Sequence, residues 1–213
     1  VQSAAELGVP ATLPAEALFS RALSSAADQR AAAAGLPGPP PAPAETAAAL
    51  IPDLGHALYA GRIAASTQGF MLLRRSAAAH DWDLDYARLV GLWQGGCIIR
   101  SRLLGEIRAA FTRQPGLPSL LADDTLRAAL GRCQGGWRRT VAFAACRGIP
   151  TPALSSALAF YDGLRSARLP ANLIQAQRDY FGAHTYERLD RAPGESFHTE
   201  WPRRDEAAPE AGA

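Results

Sequence analysis

Between Leu169 and Tyr186 the sequence gathers Arg178, His184, the chain's only asparagine (Asn172) and the aromatic pair Tyr180 and Phe181. A guanidinium is a permanently charged planar fork whose N–H donors match the oxygens of a carboxylate or phosphate. An imidazole beside it can donate or accept toward hydroxyls or toward the same anion. The pair therefore reads as a candidate anion grip. Its geometry is not automatic, because on an uninterrupted helix six residues of separation put the two side chains about 240° apart. Gly182 lies between them. A helix that ends or bends at this glycine lets the chain turn back and present His184 to the face that carries Arg178. The plainer reading, a surface arginine and a satisfied histidine at a helix end, also accounts for these residues, and the residues alone favour it.

Several chemistries are excluded by residue type. All 22 basic residues are arginines, so the chain supplies no P-loop lysine, no Schiff base and no lysine general base. No GxGxxG follows a strand-like run. The pairs Gly95-Gly96 and Gly135-Gly136 read instead as tight turns between helical segments. Cys97, Cys133 and Cys146 lack CxxC spacing and are odd in number, which indicates neither a metal site nor a secreted disulfide framework; buried free thiols are expected. Net charge is only +2, with arginine interspersed among acids, so a nucleic-acid stripe is a weak reading. There is no apolar run of membrane-span length and no basic segment leading into a hydrophobic one at Val1, and the chain reads as cytoplasmic.

The elements that must position the arginines are helices. At 213 residues, 48 % hydrophobic and 20 % charged, the chain is long enough to bury roughly 70 % of its unfolded surface, and alanine, leucine and arginine favour helix. Helical spacing predicts segments at 14–34, 46–80, 86–93, 99–111, 123–146, 152–167 and 173–186. Alternating β-branched strands are essentially missing. The fold class is all-α, a helical bundle-like domain over 1–201. A connector rich in Pro and Gly runs through 35–44, and a Pro-, Ala- and Glu-rich tail at 202–213 reads as disordered. The small residues Ala60, Gly61, Ala64, Ala65, Ser66 and Gly69 predict close approach of another helix.

The stretch from Leu169 to Tyr186 resembles the segment of the decarboxylating 6-phosphogluconate dehydrogenases that reaches into a neighbouring subunit's substrate pocket. The same family is matched, in order, by Glu6–Pro10, Leu18–Ser25, Gln68–Arg74, Trp93–Ser101, Cys133–Arg139, Gly148–Pro150 and Ala159–Gly163. The resemblance implies the all-α C-terminal part of such an enzyme, without the coenzyme-binding domain. It implies that Arg21 contacts the phosphate of 6-phosphogluconate, and that Arg178 and His184 come to that pocket from the partner of a homodimer. The family's reaction, in the pentose phosphate pathway, oxidises 6-phosphogluconate with NADP and releases carbon dioxide to give ribulose 5-phosphate. Its catalytic lysine and glutamate and its glycine loop match nothing in these 213 residues. No catalytic or metal-binding residue is therefore assigned here, NADP is expected to be held mainly by another domain or a separate nucleotide-binding chain, and the chain alone is expected to be inactive. Gln94 stands where relatives usually carry arginine, and the tail does not resemble the family's Gly- and Ser-rich one. A different class of function is a non-catalytic helical dimerisation module left from a truncated gene.

Overall fold

The computed structural model describes residues 1–41 and 47–201. Part of the connector and the whole 202–213 tail, with its expected disorder, lie outside the described residues. The chain divides into two compact units, Val1–Asp162 and Gly163–Ala213.

In the first unit the helices are α1 (Gln2–Glu6), α2 (Thr12–Ser25), α3 (Ala27–Ala32), α4 (Ala47–His80), α5 (Tyr86–Trp93), α6 (Arg102–Arg113), α7 (Asp124–Cys146) and α8 (Pro152–Leu164), the last running to the boundary between the units. A short 3-10 turn, Leu120–Ala122, precedes α7. The all-α class holds. The segment expected to be one helix over 14–34 is two, broken at Ala26 (φ −81°, ψ 58°). Alanine is a good helix former, but around it the Ser24 and Ser25 hydroxyls both bond back to the Arg21 carbonyl and Arg30 Nη2 donates to the Ser24 carbonyl at 3.0 Å, local bonds that compete with the helical ladder.

The long helix α4 lies against α7. Ala57, Ala60, Ile63, Ala64 and Phe70 of α4 meet Leu126, Ala129, Leu130, Cys133 and Trp137 of α7 in one buried cluster, with Ile107 and Phe111 of α6 and Phe160 of α8. Small residues on α4 allow the close approach that the sequence predicts: a Cβ at Gly61 would stand 3.0 Å from Leu154 Cδ2 of α8. Trp137 is fully buried, and its Nε1–H donates to the Leu154 carbonyl at 3.1 Å, so the large ring is buried without stranding its one donor.

Polar ties set where the helices start. Asp123 caps α7 by accepting from the Thr125 and Leu126 amides at 3.0 and 3.1 Å, and it also pairs with Arg113 of α6 at 2.5 Å. Asp85 caps α5 through the Arg88 amide. Gly135 and Gly136, expected in a turn, lie inside continuous α7. The reason is space: a Cβ at Gly136 would fall 2.6 Å from His56 Nδ1 and 2.8 Å from Asp53 Oδ1 of α4. Gly95-Gly96 does form the expected turn, with Gly96 at φ 99°. The three cysteines are free, but only Cys133 is buried; Cys97 and Cys146 are exposed.

The second unit consists, among the described residues, of α9 (Ala171–Gly182) and a two-residue antiparallel ladder. In that ladder β1 (Tyr186–Glu187) pairs with β2 (Ser196–Phe197), Tyr186 opposite Phe197. No helix among the described residues is long and apolar enough to cross a membrane.

Candidate functional site

Arg21 sits on α2, in the first unit, with its side chain exposed. The start of that helix is fixed by Gln68 of α4, which is fully buried. The Gln68 Oε1 accepts from the Leu13 amide at 2.9 Å, and its Nε2 donates to Thr12 Oγ1 at 2.8 Å. A buried amide satisfied at both ends is expensive to disturb, so the register of α2 against α4 is set about two turns before Arg21. Further along, the Arg21 carbonyl accepts from Ser24 Oγ at 2.7 Å, a back-bond that competes with the helical ladder near the end of α2.

Arg178 and His184 belong to the second unit, and both are exposed. Helical spacing carried this segment on to 186, but the helix ends at Gly182, the first of the two options the glycine left open. The left-handed turn, however, is carried not by that glycine but by Ala183 (φ 50°) and Thr185 (φ 59°). Gly182 has a different use. A Cβ there would stand 3.1 Å from His184 Nε2 and 3.3 Å from its Cδ2, so the missing side chain makes room for the imidazole to fold back against the helix end.

Two non-glycine residues with positive φ cost on the order of 1–3 kcal/mol each, and the surroundings must hold them. The peptide of Thr185 is gripped from both sides. Its N–H donates to Asp179 Oδ1 at 2.9 Å. Its carbonyl accepts from Gln175 Nε2, and the other end of the same amide, Gln175 Oε1, accepts from Arg178 Nη1 at 3.2 Å. Arg178 and the turn that carries His184 are thus joined through one side chain.

Asp179 is the centre of this unit and was not singled out by the sequence. Its carboxylate has no exposed surface. Besides the Thr185 amide it meets His198 Nδ1 (3.0 Å), the Thr199 amide (3.0 Å) and the Trp201 indole N–H (2.9 Å). Burial on its own would raise this carboxyl, but the hydrogen bonds from His198, Thr199, Trp201 and Thr185 outweigh it and hold Asp179 well below the usual carboxylate range. One signal for it was present in the sequence. A carboxylate in the last turn of a helix faces the negative end of the macrodipole, so an aspartate three residues before Gly182 implies a compensating set of donors.

Two hollows among the described residues lie away from the charged candidates. In the second unit a hollow of 450 Å³ is lined by Asn172, Gln175, Tyr186 and Trp201 among others. In the first, one of 520 Å³ lies among Arg62, Phe70, Trp93 and Ser101, and it is largely apolar. None of Arg21, Arg178 and His184 lines either. Taken unit by unit, the geometry offers an exposed guanidinium fork on α2 in the first unit and, in the second, an exposed fork on α9 with His184 just beyond the helix end. A fork of this kind is equipped to hold an anion.

The chain is similar to known proteins over most of its length. The chain is 52 % identical to 6-phosphogluconate dehydrogenase, decarboxylating, of Ovis aries over 201 residues, which are 93 % of this chain and 41 % of that protein. It is 50 % identical over 201 residues to the Homo sapiens protein of the same name, again 41 % of that protein. The chain therefore spans about two fifths of the length of these curated relatives. Among solved structures it is similar, at a TM-score of 0.87 and 34 % identity, to the Plasmodium falciparum 6-phosphogluconate dehydrogenase, covering 94 % of this chain and 43 % of that one. That enzyme was solved in its apo form and in complexes with its cofactor NADP+ and its substrate 6-phosphogluconate. Residues 1–201 match the family described as 6-phosphogluconate dehydrogenase, C-terminal domain, and it is to that family that the chain belongs.

Proposed function

We propose that this chain is the substrate-gripping part of a decarboxylating 6-phosphogluconate dehydrogenase, with Arg21, Arg178 and His184 holding 6-phosphogluconate. Arg21 of one protomer and Arg178 and His184 of its partner bind the substrate within a homodimer. What carries the reading is membership of the family over residues 1–201, together with arginines exposed at the positions where the family resemblance expects a phosphate. A phosphate bearing close to two negative charges is well met by two forks, each charge-assisted hydrogen bond contributing about 1.5–3 kcal/mol. The imidazole serves the sugar hydroxyls or the phosphate.

NADP is the coenzyme of the reading. A dinucleotide is ordinarily held at a glycine loop between a parallel strand and a helix, whereas the described residues form helices and one two-residue antiparallel ladder. These residues do not fit the coenzyme, and its binding is assigned to residues outside the 213. The chain's own contribution is positional. Binding energy taken at the phosphate end fixes the reacting carbons without moving a proton.

The test is a calorimetric titration of 6-phosphogluconate into the protein and into its Arg21→Ala, Arg178→Ala and His184→Ala variants. The arginine variants are expected to bind at least about tenfold more weakly, the cost of one charge-assisted bond. Unchanged affinity in all three removes the reading.

A further inference from the structure

We propose that Gln175 is a positioning residue of the sugar-phosphate site, holding the Arg178 fork and the turn that presents His184 in a fixed relation to each other. The proposal rests on the substrate reading above and adds to it a residue that touches no substrate.

The argument is one of donors and acceptors. Arg178 can only donate, so whatever faces its Nη1 must accept; the Thr185 carbonyl can only accept, so whatever faces it must donate. Gln175 lies between them, half-buried, three residues before Arg178 and therefore on the same face of α9. Its Oε1 takes the arginine N–H at 3.2 Å, and its Nε2 supplies the carbonyl. The two partners fix which end of the amide points where, and the carboxamide supplies an acceptor and a donor at the two branches of one side chain. Glutamate would set an acceptor against the carbonyl, and methionine of similar length would leave both partners unmet. Gln175 engages one of the five N–H donors of Arg178, and the phosphate is met by the rest of the fork.

The link matters because the turn it steadies is strained. Ala183 and Thr185 both have positive φ, and His184 lies between them. The Asp179 carboxylate holds the N–H of Thr185, but the same carboxylate also serves His198, Thr199 and Trp201, so its grip extends over the whole unit. Among the described residues it is the Gln175 side chain that hydrogen-bonds both the turn and the arginine.

Gln175→Met is the variant to make, since it keeps the length and apolar stem of the side chain. In the 213-residue chain it is expected to weaken 6-phosphogluconate binding about tenfold, the scale of a misplaced rather than a missing contact. The melting temperature is expected to stay within a few degrees. NMR relaxation of the Arg178 Nε–H group is expected to report a loss of order in Gln175→Met without ligand, a change that a general packing role would not confine to that arginine. Gln175→Glu, which keeps the acceptor and loses the donor, should weaken binding as well, and it stands in if the methionine variant does not fold. If Arg178→Ala weakens binding and both Gln175 variants bind like the wild type, the positioning role is overturned while the substrate reading stands. If Arg178→Ala itself binds like the wild type, the substrate reading falls and takes this inference with it. An Arg178 side chain as ordered in Gln175→Met as in the wild type also overturns the link.

Discussion

Asp179 shows how one carboxylate can be ionised and buried at once. Four donors meet its two oxygens, and they favour the charged form more than burial disfavours it, so its carboxyl is held below the ordinary range. A group whose folded value is depressed stabilises the fold fully above its unfolded value, about 3.9, and that stability is lost as pH falls toward the folded value. Melting temperature is therefore expected to drop on acidification below about pH 5. Asp123 and Asp53 are also held low, each with an arginine among its partners, and add to the slope with the same sign. Asp179→Asn should lower the melting temperature by several degrees at neutral pH, because its amide nitrogen faces donors, and should flatten the acid slope. Equal slopes in the two proteins would show that Asp179 is not a source of the acid sensitivity.

Two glycines on α7 separate propensity from packing. Gly131 is exposed and has nothing within 4 Å of where a Cβ would stand, so Gly131→Ala is expected to stabilise by about 0.5–1 kcal/mol through the unfolded chain. Gly136 faces α4, where a Cβ would meet His56 Nδ1 at 2.6 Å and Asp53 Oδ1 at 2.8 Å. Asp53 cannot retreat freely, because Arg139 holds both its oxygens, Nε to Oδ2 at 2.7 Å and Nη2 to Oδ1 at 2.6 Å. Gly136→Ala is therefore expected to destabilise by about 1–3 kcal/mol, the usual cost of overpacking. Urea midpoints of the two variants check the pair, and a shift of the same sign in both would contradict the close contact of α4 with α7.

Apolar side chains stand exposed in both units, among them Leu18, Phe19 and Leu23 on α2 and Leu173, Ile174 and Phe181 on α9. Contiguous exposed apolar surface is what an association face requires, and these residues are the ones to test for the proposed homodimer, in which Arg178 and His184 reach a partner's pocket. Sedimentation of the 213-residue chain is expected to give twice the 22.5 kDa of one copy. Replacing Ile174 and Phe181 together with serine should shift it toward monomer; a monomeric wild type would sink the two-protomer site. Mixed with 6-phosphogluconate and NADP, the chain alone is expected to release no NADPH, since neither a lysine nor a dinucleotide fold is present in its described residues to do the chemistry. A measurable rate would refute the division of labour proposed here.

Helical spacing, the absence of lysine and the runs that match the family were legible in the residues themselves. Spacing and matched runs are local properties of the chain and determined the all-α class and the family, while the absence of lysine excluded lysine chemistry. The end of α9 at Gly182 was legible only as an option, since helical spacing ran on to 186 and the glycine marked where the helix could end or bend. Which residue takes the left-handed turn was not: Ala183 and Thr185 do so against their own preferences, because Asp179 and Gln175 hold the Thr185 peptide from either side. Asp179 looked like one more charged residue until Thr199 and Trp201, some twenty positions away in sequence, were folded onto it. Gly135-Gly136 looked like a turn until α4 lay against it. In each case the sequence lists the donors, acceptors and small residues, and only the packed chain decides which of them meet, because a buried polar group takes its partner from whatever tertiary contact brings within reach.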